Sequence, residues 1–201
     1  MSNLSQKNRL LLAFAVGAFG ILIGVLVSNY FVKGRGTRLT QEVRTPALES
    51  LATLSFYPEE TEVNVGEEFS VDIKLDAEGM ILSGLAVRVI YEYEEDLPLE
   101  PQDVKMRVNP DLAGMDWVFP VNTIEVDTRT KRVVGEIAAV NLNPGGHPTE
   151  GSVTIATIDF KATSSSSQDM VFTFDPEQTK LLTKDGQEVN IELKERSYSV
   201  D

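Results

Sequence analysis

Few residues in this chain are of a type and spacing that do chemistry. One histidine, His147, sits in the sequence PGGHPTEG, with no second histidine and no cysteine among 201 residues. That composition excludes multi-histidine and thiolate metal centres, a thiol nucleophile and a disulfide framework. A serine triad would have to be built on this one imidazole, and no motif marks its partners, so His147 reads as an exposed loop residue. The acidic run Tyr91-Glu92-Tyr93-Glu94-Glu95-Asp96 offers hard oxygen ligands for calcium but lacks the D-x-D-x-D-G spacing. A glycosidase needs two carboxylates about 5–9 Å apart, and no motif selects such a pair. Trp117, the single tryptophan, lies in GMDWVFPVN. On an exposed strand it would stack on a sugar or anchor a protein; Val118, Phe119 and Pro120 beside it favour a place between sheets. The reading is non-enzymatic, with no cofactor and no metal.

What these residues are mounted on follows from charge and periodicity. The net charge of −13 argues against a nucleic-acid surface, which needs Lys and Arg to neutralise phosphates. The charge is also unevenly placed: residues 1–50 carry six basic and two acidic residues, whereas 51–201 carry 12 and 29, a net of −17. Such a break separates a membrane-proximal segment from a soluble domain. Leu10 to Val32 is a run of 23 uncharged residues, LLLAFAVGAFGILIGVLVSNYFV. As a helix it would be about 34 Å long, enough for a hydrocarbon core of about 30 Å. It exceeds a signal-peptide core and no small-x-small site follows, so it reads as an uncleaved transmembrane helix. Gly20 and Gly24 form a small-xxx-small pair, a packing motif that is also simply tolerated in lipid. Basic residues flank both ends, and counted alone they slightly favour a cytoplasmic C-terminal side. Residues 1–9 are then a short tail, 10–32 the membrane helix, 33–50 a polar stalk and 51–201 one domain.

That domain alternates with period two, the mark of half-buried strands. One inward set is Phe69, Val71, Ile73 and Leu75; a second is Leu85, Val87, Val89, Tyr91 and Tyr93. Val104, Met106 and Val108 make a third, Met170, Phe172 and Phe174 a fourth, and Val189, Ile191 and Leu193 a fifth. Arg132–Val140 and Ser152–Ala162 are β-branched and apolar enough to be strands partly covered on both faces. Asp185-Gly186, between KLLT and EVNIEL, predicts a hairpin with a type I′ turn. About nine strands without crossover helices predict an all-β antiparallel sandwich of the jelly-roll kind.

The order of these features resembles the cohesin domain family. LSFYPEETEVNVGEEFSVDIKL is similar to the opening of cohesins, and SGLAVRVIYEYEEDLPLE to the strand that follows. VVGEIAAVN, a Gly-rich loop and GSVTIATIDFKA resemble the paired strands of the C-terminal half, and TKDGQEVNIEL the closing hairpin. The likeness covers roughly residues 52–194, although the family's Tyr-Asp-Pro is replaced here by Tyr91-Glu92 and Tyr93-Glu94. It implies a nine-stranded antiparallel jelly roll, related in fold to carbohydrate-binding modules and displayed outside the cell. It also implies a protein partner, dockerin-like or another surface protein, in assemblies that degrade polysaccharide. The partner face would be built from strands at 82–92, 115–121, 133–140 and 152–162. With alternate residues inside, Arg88, Ile90, Glu136, Ala138, Val140, Thr157 and Asp159 would face the partner, in a mixed apolar and polar plateau. Two other readings stay open: direct glycan binding, with Trp117 as the contact, and a structural protein that assembles through its membrane helix and ectodomain.

Overall fold

A computed structural model describes residues 51–201 apart from 59–61, 95, 114, 167 and 168. The expected tail, membrane helix and stalk lie outside the described residues. Among the described residues no helix is long and apolar enough to cross a membrane.

The alternating segments become strands in two sheets. The first contains β1 (Leu51–Tyr57), β3 (Glu68–Asp76), β5 (Leu99–Pro101), β6 (Arg107–Val108), β10 (Ser152–Ala162) and β13 (Asn190–Leu193). Its order is β13-β1-β3-β10-β5, with β6 also on β10. The second contains β2 (Glu62–Val63), β4 (Ile81–Glu92), β7 (Trp117–Asp127), β8 (Arg132–Asn141) and β9 (His147–Pro148). With them are β11 (Met170–Phe174), β12 (Lys180–Thr183) and β14 (Arg196–Val200). Its order is β2-β14-β11-β4-β8-β7, with β9 and β12 also on β4. The one helical element described is a single turn, α1 (Pro110–Ala113). There Asn109 caps the turn by accepting the Asp111 amide at 3.0 Å, and proline stands first, where its missing donor costs nothing.

Two expectations are corrected here. Fourteen strand segments are present among the described residues rather than nine, because short segments of two to four residues (β2, β5, β6, β9, β12 and β13) also pair into the sheets. The sandwich is also not purely antiparallel: β1 pairs β13 and β14 pairs β2 in parallel. Both parallel pairs arise where the chain passes from one sheet to the other instead of turning back on itself.

The inward sets are largely as the alternation predicts. Val71, Ile73 and Leu75 from β3, and Val87, Val89 and Tyr91 from β4, are buried with Phe172 and Phe174 from β11. Phe172 is the hub: its ring lies 5.0 Å from Tyr91, 5.3 Å from Tyr198, 5.5 Å from Phe160 and 5.9 Å from Phe56. Stacked and edge-to-face contacts of this kind add to the burial energy of the rings. Burial pushes the Tyr198 phenol up to about 12, and the Asp72 charge acts the same way against the opposing effect of Arg196.

The third set breaks down. Met106 is buried, but Val104 is 70% exposed. Residues 102–105 bend away, and the Val104 carbonyl instead accepts the Ile124 amide at 2.8 Å, covering the free edge of β7. The Asp-Gly hairpin exists, with a different turn. Thr183 carbonyl accepts the Gly186 amide and Gln187 carbonyl accepts the Thr183 amide, both at 2.9 Å, while positive φ is confined to Gly186 (+74°). This is a three-residue loop closed by a glycine bulge, not a two-residue type I′ turn. Its second arm stays with β12 only as far as Val189, whose amide donates to Leu181 at 3.0 Å; β13 then crosses to β1.

Gly146 ties the 142–151 loop to β4. Its φ is +71°, and a Cβ there would stand 2.7 Å from Ile81 Cγ2 and 3.0 Å from the Leu82 carbonyl. Gly146→Ala is therefore expected to cost about 1–3 kcal/mol in chemical denaturation. An unchanged midpoint would show that the loop is not held against the strand.

Candidate functional site

The two outer faces of the sandwich differ in chemistry. On the larger sheet, residues directly opposite one another across the ladder share a face, so the register fixes the outer rows. Gly84, Val140 and Val118 form one row, and Ala86, Ala138 and Val121 the next. β12 extends these rows with Leu182 beside Gly84 and Lys180 beside Ala86. Val118, Val121, Val140 and Leu182 are exposed, as are Met115 and Leu142 beyond them. The small residues at 84, 86 and 138 keep the middle of this zone low. A Cβ added at Gly84 would meet Leu182 Cδ1 and the Ala139 carbonyl at an ordinary 3.6 Å, so the internal packing does not demand glycine there.

The same face becomes charged along the strands. Arg88 sits opposite Glu136, with Nη1 2.5 Å from the carboxylate and 2.9 Å from Gln178 Oε1. Its Nε lies 3.6 Å from Asp175. Ile90 and Val134 form the following row, ending at Glu125, and Glu92 and Arg132 pair at 2.5 Å beyond it. Exposed pairs of this kind contribute about 0–1 kcal/mol each, so they shape the surface more than they hold the fold.

The smaller sheet presents a polar outer face whose groups are matched to each other. The Thr157 hydroxyl donates to Asp72 at 2.6 Å, and Ser70 donates to Asp159 at 2.6 Å. Arg107 bonds Asp159 through Nε at 3.1 Å and Nη2 at 2.9 Å. Lys74 Nζ lies 3.6 Å above the Tyr57 ring.

This arrangement divides the residues expected to form one plateau. Arg88, Ile90, Glu136, Ala138 and Val140 lie together on the outer face of the larger sheet. Thr157 and Asp159 lie on the outer face of the smaller one, because β10 pairs with β3, β5 and β6. Thr157 does point outward, yet it is only 6% exposed. Val118, Val121, Leu182, Gly84 and Ala86 were not singled out by sequence reasoning. For Val118 and Val121 the reason is a bulge between them, which places two nominally consecutive outward residues three apart. For Leu182 it is the doublet Leu181-Leu182, which does not say which leucine is inside.

Trp117 is 5% exposed and belongs to the core. It is closed to a sugar, and the flanking residues that pointed between the sheets pointed correctly. Its ring meets the His147 imidazole edge-on at 6.1 Å. His147, expected as an exposed loop residue, is half-buried because β9 pairs with β4 at Leu82. In the acidic run, Tyr91 and Tyr93 turn inward while Glu92, Glu94 and Asp96 face solvent. These acids border a groove of about 450 Å³ with Ser164 to Ser166 and Asp169. Among the described residues no group of three or more acidic or histidine side chains is gathered to hold a metal.

The Arg107 hydrogen bond holds Asp159 below the usual carboxylate range, against the opposing effect of burial and with help from Ser70. A carboxyl lowered in the folded state stabilises at neutral pH, and that contribution disappears as pH falls through its folded value. In Arg107→Ala the Asp159 carboxyl, followed by carbon NMR, is expected to titrate at higher pH, and the acid side of the stability profile to flatten. Titration at an unchanged pH would remove Arg107 as the cause.

The two sheets, joined in this order, form a sandwich whose fold is cohesin-like by comparison with solved structures. No protein-family model matches the sequence, and no curated protein does. Solved structures match at the level of fold. A chain of a type I cohesin–dockerin complex from Clostridium thermocellum superposes with a TM-score of 0.55 at 9% identity, over 75% of this chain and 99% of that one. A type II cohesin from Bacteroides cellulosolvens gives 0.54 at 14% identity, over 75% and 99%. A type I cohesin from Pseudobacteroides cellulosolvens gives 0.50 at 15%, over 75% and 92%.

Proposed function

We propose that this chain is a non-catalytic docking module that holds a protein partner, of dockerin type, on the outer face of its larger sheet. The observation that carries this is the contrast between the two outer faces. The polar groups of the smaller sheet are bonded to each other. The larger sheet leaves Val118, Val121, Val140 and Leu182 open around a low floor of Gly84, Ala86 and Ala138. A contiguous apolar zone rimmed by charged residues is what a protein interface needs. The cohesin-like fold supports the choice of partner class, since related structures were solved as complexes with dockerins.

Residues 10–32 anchor the module in a membrane, the stalk at 33–50 spaces it from the bilayer, and the sandwich works outside the cell in polysaccharide breakdown. This part rests on the 23-residue uncharged run and on the function that goes with the fold. Immobilised full chain is expected to capture a purified type I dockerin module and to show no retention on cellulose. Retention on the polysaccharide without dockerin capture would overturn the docking reading in favour of glycan binding.

A further inference from the structure

The charged half of the same face contains a depression of about 360 Å³. Its floor is the directly opposed pair Ile90 and Val134, both half-buried. Its rim carries Arg88, Arg132, Glu136, Asp127 and Glu125. Four of these five charges are already engaged. Arg88 is bound to Glu136 and Arg132 to Glu92, each at 2.5 Å. Asp127 accepts the Thr130 hydroxyl at 2.8 Å and the Arg129 amide at 2.9 Å, and these bonds hold its carboxyl below the usual range. Glu125 pairs with Val134 through the backbone ladder of β7 and β8, but its carboxylate makes no hydrogen bond or ion pair with the described residues.

We propose that this depression is a socket for one lysine side chain of the docked partner. The inference rests on the docking reading and adds the chemistry by which the partner is chosen. An apolar floor ending in an unengaged carboxylate matches an amphipathic side chain. The methylene stem lies over Ile90 and Val134, and the ammonium reaches Glu125, about 4.8 Å further on, the spacing of adjacent strands. The two rim arginines do not repel the cation strongly, because each is paired with a carboxylate. The net charge of −17 over residues 51–201 attracts a basic partner at longer range. The apolar zone beside the socket then supplies contact area, and the socket supplies selection.

The test uses the full chain, 15N-labelled and kept in mild detergent, titrated with Nα-acetyl-lysine methylamide. The norleucine analogue, with the same kind of stem and no charge, is titrated separately. The lysine compound is expected to give saturable amide shifts at Thr123, Glu125 and Val134 that fade in high salt, and the norleucine compound none there. Glu125→Gln is expected to weaken the lysine response about 5-fold, the effect of losing one exposed ion pair. An equal response to norleucine, an unchanged response in Glu125→Gln, or shifts only elsewhere on the acidic surface would overturn the socket. Dockerin capture without the lysine response removes the socket and leaves the docking reading. The lysine response without capture counts against the docking reading alone.

Discussion

Truncating Phe172 to alanine is expected to lower the unfolding free energy by about 3–5 kcal/mol, the range found for large aromatic truncations in closed cores. The residue is fully buried at the middle of β11, and its ring touches rings from both sheets: Phe56 and Phe160 on one side, Tyr91 and Tyr198 on the other. A cavity at this point takes one ring contact from each of the four, and strands on both sides limit its collapse. Domains of this size have about 5–15 kcal/mol in total, so the loss would bring unfolding close to ambient conditions. Trp117 reports the transition, since it is buried in the fold and exposed on unfolding. A shift under about 1 kcal/mol in urea denaturation would show that the sheets are held together elsewhere. Leu182→Ala, on the outer face, is expected to stay within about 0.5 kcal/mol of the parent.

The second large effect concerns docking and should leave the fold alone. Ala138→Arg places a long charged side chain in the low centre of the apolar zone, between Ala86 and Val121. Dockerin capture is expected to fall by about 100-fold, as for disruption of a central hot spot, with the unfolding midpoint unchanged. Asp159→Asn, on the outer face of the smaller sheet, is expected to leave capture as it was. Equal loss in both variants would place the partner elsewhere or show that capture follows overall charge. Retained capture in Ala138→Arg would exclude this face. The pair of variants asks directly which of the residues expected on one plateau belong to it.

That plateau shows where local pattern stops being informative. Alternation placed Val71, Ile73 and Leu75 inward, as it did Val87, Val89 and Tyr91, because the two-residue period of a strand is a property of the strand itself. The same reasoning correctly turned Arg88, Ile90 and Glu136 outward, and Thr157 and Asp159 too. It carried no information on which sheet each strand joins. β10 went to the smaller sheet through its nine-residue pairing with β3, made across a bulge between Thr154 and Ala156. That bulge also explains why Ser152–Ala162 shows no clean alternation.

Other misreadings have the same origin. Val104 continues an apolar alternation into a bend whose purpose is to cover the edge of β7. The Asp-Gly hairpin was legible as a turn, but its arms diverge to different sheets after Val189. His147 looked like a free loop residue because its two contacts, β4 and Trp117, come from segments distant in the chain.

The sequence by itself determined a β-rich domain, its turns, the inward side of most strands and the absence of thiol and multi-histidine chemistry, all of which depend on residue type and short-range spacing. Only the tertiary structure decided that Gly84, Ala86, Ala138, Val118, Val121 and Leu182 meet on one open surface, and that Glu125 is left unengaged beside them. Those neighbours are made by strand pairing between residues far apart in the chain, and a bulge or a change of sheet alters them without altering the local pattern.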